Sequence, residues 1–275
     1  MNWIKNILKF LDTLLCGDIP LNDEHAYEEE IYKSEKKGKW GFRNGWGKVV
    51  IPIEYDKVDD FRKGQATVKK DGKWGCIDKN GNVVIPIEYD KIDNVRDGFA
   101  VVKKNYKYGL IGKNGKFVIP IEYDGVEHNG GEYVKMRKGS VRDGKWGLLD
   151  MNGNVVIPFE YDFIDWFSNG LARVNIGAIR EHGRMNGGKW GFVNMNGKIV
   201  VPLVYDDAKS FLDEVAGVKR DGKWGFIDKQ GELVIPMEYD RVFLGFLGGR
   251  AWVEKGGSRG YIDKTGKLVM AGIDK

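Results

Sequence analysis

Short runs of β-prone residues alternate with turn dipeptides along most of this chain. Residues 66–95 illustrate the pattern. Ala66 to Lys70 is a β-prone run, and Asp71-Gly72 supplies the two positive-φ positions of a tight hairpin. Trp74 to Asp78 predicts a second strand, Asn80-Gly81 a second turn, and Val83 to Pro86 a third strand. Pro86 has no N–H to donate, so it should mark a strand end or an edge. Lys91 to Val95 predicts a short fourth strand before the loop Arg96-Asp97-Gly98. Val49-Val50-Ile51, Val83-Val84-Ile85 and Val155-Val156-Ile157 are apolar on both faces. Such strands are expected to be covered on both sides, which predicts sheets packed on neighbouring sheets. The first residues follow a different period. Trp3, Ile4, Ile7, Leu8, Leu11, Leu14 and Leu15 fall on one face of a helix that Gly17 would end, so residues 1–18 predict a short amphipathic helix.

The strand pattern is a repeat. Lys39-Trp40-Gly41 recurs as Lys73-Trp74-Gly75, Lys107-Tyr108-Gly109, Lys145-Trp146-Gly147, Lys189-Trp190-Gly191 and Lys223-Trp224-Gly225. A degenerate seventh copy is Arg259-Gly260-Tyr261. The steps are 34, 34, 38, 44, 34 and 35 residues. A turn glycine follows seven residues after each of these Trp residues, after Tyr108 and after Arg259, from Gly47 and Gly81 to Gly266. In six copies an Ile-Pro or Val-Pro pair comes next, then Tyr-Asp, from Tyr55-Asp56 to Tyr239-Asp240.

These motifs resemble the bacterial WG-repeat (KWG-repeat) family over about residues 31–273. Departures are Tyr108 and Arg259 in place of Trp, Val204 in place of Glu, and two long insertions. The resemblance implies a β-repeat scaffold and carries no assigned catalytic residue. The fold expected is therefore an all-β repeat protein of seven units of ~34 residues, each with three or four antiparallel strands. Residues 19–275 should form one repeat domain. A β-propeller-like ring is the preferred arrangement, and an open twisted β-solenoid is the alternative. The ring is preferred because copy seven lacks the Pro-x-Glu-Tyr-Asp segment while Ile19 to Tyr27, around Pro20, could supply it from the other end of the chain.

Composition narrows the chemistry. The 44 basic and 40 acidic residues leave a net charge of +4, too balanced to suggest a nucleic-acid partner. Gly, at 39 residues, is about twice its ordinary share, as the repeated turns require. Two Cys and three His give no disulfide framework and no metal-ligand spacing. The predicted helix mixes Lys5 and Lys9 with Asp12, so membrane attachment is not expected. Lys9 and Asp12 also break the apolar run that a signal peptide needs, which points to a cytoplasmic protein. A Trp at one position of every unit is a packing residue more simply than a sugar platform. The Tyr-Asp pairs read as turn caps rather than six catalytic acids. The Asp78-Lys79-Asn80-Gly81 turns lack the alternating acids of an EF-hand. No catalytic residue, metal or cofactor is therefore expected.

Function is sought where the repeat breaks. Four extra residues lie between Asp124 and Trp146, and ten between Asp162 and Trp190. Both insertions precede a Lys-Trp-Gly strand in adjacent units, so they should emerge side by side. Arg137, Lys138 and Arg142 belong to the first, and Arg180, His182 and Arg184 to the second. Guanidinium forks suit carboxylates. The sequence thus predicts a monomeric, non-enzymatic scaffold that binds an acidic protein through these basic loops. A carbohydrate or cell-envelope binding module is the alternative.

Overall fold

The computed structural model describes residues 30–93, 98–181 and 184–271. The chain divides into two compact units, residues up to 105 with 111–116, and 106–110 with 117 onward. The division passes through the third of seven small antiparallel sheets.

The first sheet has three strands among the described residues, Ile31–Lys36, Lys39–Asn44 and Val49–Tyr55. Each later sheet has four, in sequence order. The second is built from Lys57–Val58, Gln65–Lys70, Lys73–Asp78 and Val83–Tyr89. The Asp71-Gly72 hairpin is formed as expected, with φ of 50° and 79°. Gly81, at φ 82°, closes the next turn by donating to the Asp78 carbonyl.

Two expectations are revised, the sheet that the short strand joins and the coverage of the Val-Val-Ile strands. The short strand after each Tyr-Asp pair does not complete its own unit: Lys57–Val58 pairs with Gln65–Lys70 and opens the next sheet. The predicted strand 91–95 is likewise Lys91–Ile92, the first strand of the third sheet. The degenerate seventh copy forms the expected seventh unit, a sheet of four strands, Arg241–Val242, Arg250–Lys255, Ser258–Asp263 and Leu268–Ala271. The Val-Val-Ile strands are covered only in part, with Ile85 fully buried and Val83 55% exposed. They are edge strands of their sheets. The predicted helix of residues 1–18 and the Ile19 to Tyr27 segment lie outside the described residues.

Proline survives inside these edge strands because of a bulge. Trp224 pairs with Tyr239 and Phe226 with Ile235. Pro236, Met237 and Glu238 therefore stand against Gly225 alone, an irregularity in which a missing N–H costs no ladder bond. The bulged strand presses on the glycine. A Cβ on Gly225 would lie 2.7 Å from the Ile235 carbonyl oxygen, and one on Gly191 would lie 2.6 Å from that of Val201. The Trp-Gly pair is thus a packing device, with Trp224 and Trp146 buried and Trp40, Trp74 and Trp190 half-buried.

The core sits between consecutive sheets. Phe42, Ile51 and Tyr55 of the first pack with Ala66, Val68 and Ile77 of the second. Trp224, Phe226 and Ile235 of the sixth pack with Val242, Phe246 and Val253 of the seventh. Burying one such side chain contributes roughly 1.5–3 kcal/mol. In three of the loops an aromatic seals this joint. Phe61 meets Phe42, Phe211 meets Phe192 and Phe246 meets Phe226, at centroid distances of 4.7–4.9 Å.

Candidate functional site: the inserted hairpins

Most of the repeated polar chemistry is structural. The Lys of each Lys-Trp/Tyr-Gly pairs with the Asp of the Tyr-Asp that follows 17 residues later. Lys39–Asp56, Lys73–Asp90, Lys107–Asp124, Lys189–Asp206 and Lys223–Asp240 are separated by 2.5–2.6 Å, and Lys145–Asp162 forms the sixth pair. The second oxygen of the same Asp accepts a backbone N–H from the hairpin of the following sheet, such as Asn105 N for Asp90 and Gly139 N for Asp124. The lysine hydrogen bond, followed by that N–H, holds the Asp90 and Asp124 carboxyls below the usual carboxylate range. Each Asp thus ties one sheet to the next. The paired Tyr is buried, with Tyr89 only 1% exposed.

The Asp-x-Asn-Gly turns are equally self-contained. Asp78 accepts from the backbone N–H groups of Asn80 and Asn82 and from the Asn82 side chain, at 2.8–2.9 Å. The hydrogen bond from the Asn82 side chain is the main cause that holds the Asp78 carboxyl below the usual carboxylate range. No cluster able to hold a metal occurs among the described residues. Cys76 is buried, and burial pushes its thiol up to about 11, so it stays protonated and unreactive near neutrality.

The two insertions extend the same hairpin, between the second and third strands, in consecutive sheets. In the fourth sheet the hairpin joins Tyr133–Lys138 to Lys145–Asp150. Its turn is closed by Gly144 N on the Ser140 carbonyl at 2.9 Å and by the Ser140 hydroxyl, which contacts Asp143 and accepts from Arg142 N. In the fifth sheet the strands are 11 residues long, Leu171–Glu181 and Arg184–Asn194, and run on as a two-stranded ribbon. Asp162 anchors its base by accepting from Gly177 N and Ala178 N. The pairing steps from Ile176↔Lys189 to Ala178↔Gly187, with positive φ at Gly177 and Gly188. A Cβ on Gly188 would lie 2.4 Å from the buried Asn175 Oδ1.

The predicted site residues separate on this framework. Arg142 is exposed at the tip of the first hairpin. Arg180 pairs with Met185 and Arg184 with Glu181 at the far end of the ribbon. Lys138 is engaged by Glu122 at 3.3 Å and lies over the Tyr123 and Phe159 rings. Arg137 is displaced from the predicted basic face. It sits in a strand, 8% exposed, donates to the Asp124 carbonyl at 3.0 Å and lies over the Trp146 ring. Cross-strand pairing with Trp146 draws it under the indole, so it is a packing residue. His182 lies outside the described residues.

Sequence reasoning weighed the charges of these loops and passed over their aliphatic residues. Val141 is 62% exposed and Ile179 64%. An aliphatic residue in the turn, Val141, and one in the ribbon, Ile179, were the available signal. A second departure, the exposed Phe243, Leu244 and Leu247 of the seventh sheet, was also passed over.

The fold and its repeated clamps define a class, an array of small antiparallel sheets in which one aspartate per step ties each sheet to its neighbour. The family model for the WG containing repeat matches residues 40–74, 74–108, 108–140, 146–178, 190–224 and 224–258. The chain belongs to that family. No curated protein matches it. Among solved structures it is similar to the WD40 domain of Neurospora crassa Pan2, with 11% identity, a TM-score of 0.31, and 90% of this chain and 92% of that one covered. It is also similar to AztD from Citrobacter koseri in its apo form, with 14% identity, a TM-score of 0.34, and 78% and 72% covered.

Proposed function

We propose that this protein is a non-enzymatic scaffold that binds a protein partner through the hairpins of its fourth and fifth sheets. The observation that carries the reading is that both insertions extend the same hairpin of consecutive sheets and combine exposed aliphatic with basic residues. Arg142, Arg180 and Arg184 would meet carboxylates, while Val141 and Ile179 supply apolar contact. Lys138 stands at the base of this face, and Arg137 supports it from beneath. The Lys-Asp pairs that recur in the repeat are engaged in the clamps between sheets, and the insertions lie outside that framework. The partner is then an acidic protein surface with some apolar character.

The test compares the full chain with a variant whose two insertions are replaced by the Asp-Gly turn of the sixth sheet, using pull-downs from the lysate of the source cells. The full chain should retain a partner that the shortened form loses, and retention should weaken as salt rises. Equal recovery by both proteins would overturn the proposal.

A further inference from the structure

The seventh sheet departs from the repeat at one loop, and the departure is aromatic. Backbone hydrogen bonds fix the equivalent positions. Asp59 N donates to Thr67 O, Asp93 N to Val101 O, Asp165 N to Arg173 O, Lys209 N to Gly217 O, and Phe243 N to Trp252 O. In the second sheet the facing side chains are polar, with the Thr67 hydroxyl on Asp59. In the fifth they are Arg173 and Asp165, 3.2 Å apart. In the seventh they are Phe243 and Trp252. The isolated bridge Leu247↔Arg250 likewise matches Arg62↔Gln65, Ser168↔Leu171 and Leu212↔Val215, so Leu247 stands where other sheets carry Arg62, Ser168 or Leu212, and the replacement particular to the seventh sheet is the Phe243 and Trp252 pair.

These replacements do not complete the core. Phe246 already fills the loop's aromatic slot and is fully buried. Phe243 is 71% exposed, Leu244 55% and Leu247 70%. Phe243 and Trp252 also line a cleft of about 380 Å³ together with Trp224, Lys219 and Arg241. Exposed apolar side chains in the loop that borders an aromatic-lined cleft point to an interaction site.

The local charge is positive. Residues 241–250 contain two Arg and no Asp or Glu. Asp240, on the cleft wall, is occupied by Lys223 at 2.5 Å and by Gly256 N at 2.6 Å. Glu254, opposite Arg241 across the strands, is engaged by Arg259 at 3.2 Å. We infer that this cleft of the sixth and seventh sheets docks an acidic amphipathic segment of a partner protein, with an apolar anchor side chain against Phe243 and Trp252 and a carboxylate at Arg241 and Lys219. The concave, ring-lined shape fits one anchor side chain better than a lipid surface. Leu244 and Leu247 add aliphatic area for which a glycan has little use. The inference rests on the sixth and seventh sheets and stands independently of the inserted hairpins.

The experiment pans a random-peptide display library on the full chain and measures the enriched peptides, labelled, by fluorescence anisotropy. Enriched peptides should combine an aromatic or aliphatic residue with Asp or Glu. Affinity should fall about tenfold or more in Phe243→Asp and in Arg241→Glu. Phe243→Asp installs the residue that the second, third and fifth sheets carry at this position, so its melting temperature should match the parent. The variant with shortened hairpins should bind these peptides unchanged. No enrichment over a bare surface, or equal binding by the Phe243 and Arg241 variants, would overturn the inference. So would a loss of binding confined to the shortened-hairpin variant. Phosphatidylserine vesicles, soluble oligosaccharides and self-association at high concentration are run in parallel. If Phe243→Asp abolishes one of these instead of peptide binding, the acidic-segment assignment is wrong.

Discussion

Lys189 Nζ lies 2.6 Å from Asp206 Oδ1, while the other oxygen of Asp206 accepts the Asp221 backbone N–H at 3.0 Å. Asp206 therefore links the third strand of the fifth sheet to the hairpin turn of the sixth. Its loss leaves two groups without a partner, whereas loss of Lys189 leaves one. Asp206→Ala should lower the melting temperature more than Lys189→Ala, with Asp206→Asn in between because an amide still accepts the N–H. Thermal melts followed by circular dichroism decide it, and equal shifts would show that the backbone contact contributes nothing.

The same clamps set the acid limit of the fold. Asp56, Asp90, Asp124, Asp206 and Asp240 are each held below the usual carboxylate range, first by the lysine hydrogen bond. A carboxyl depressed in the folded state stabilises it above the unfolded value of ~3.9, and the contribution is lost as pH falls through the folded value. Calorimetry should therefore give a nearly constant melting temperature from about pH 7 to 5 and a steep fall below about pH 4. An equally steep fall between pH 7 and 5 would point to other groups.

Two glycines of the sixth sheet should respond differently to alanine. At Gly225 the new Cβ would meet the Ile235 carbonyl oxygen at 2.7 Å and the Met237 nitrogen at 3.0 Å, both backbone atoms. Overpacking of that kind costs about 3 kcal/mol or more. Gly222 has φ +80° but open space around it, so alanine there bears only the left-handed penalty of roughly 1–2 kcal/mol. Urea denaturation of both variants gives the order, and a larger loss at Gly222 would contradict the bulge geometry.

Large aromatics can be ranked in the same way. Trp224 is 5% exposed, and truncation to Ala should cost about 3–5 kcal/mol. Phe243→Asp should stay within about 0.5 kcal/mol, since the ring is 71% exposed in the folded chain. Comparable losses in denaturant melts would mean that Phe243 is a core residue, which would also undercut the cleft.

What the sequence by itself determined was local or periodic. The turn at Asp71-Gly72 follows from two positive-φ requirements within two residues, and the sheets from motifs that recur in step along the chain. It also showed where the framework is interrupted, between Asp124 and Trp146 and between Asp162 and Trp190. Tertiary structure decided which neighbour each of these residues meets. Lys57–Val58 joins the sheet after its motif because its strand partner, Gln65–Lys70, comes later in the chain. Arg137 reads as a loop cation, yet cross-strand pairing draws it under Trp146. Phe243 and Phe246 are the same residue three positions apart, one 71% exposed and the other fully buried. Burial is a property of the space between two sheets, and that space is closed by residues such as Phe226, distant in sequence, that the local pattern does not encode.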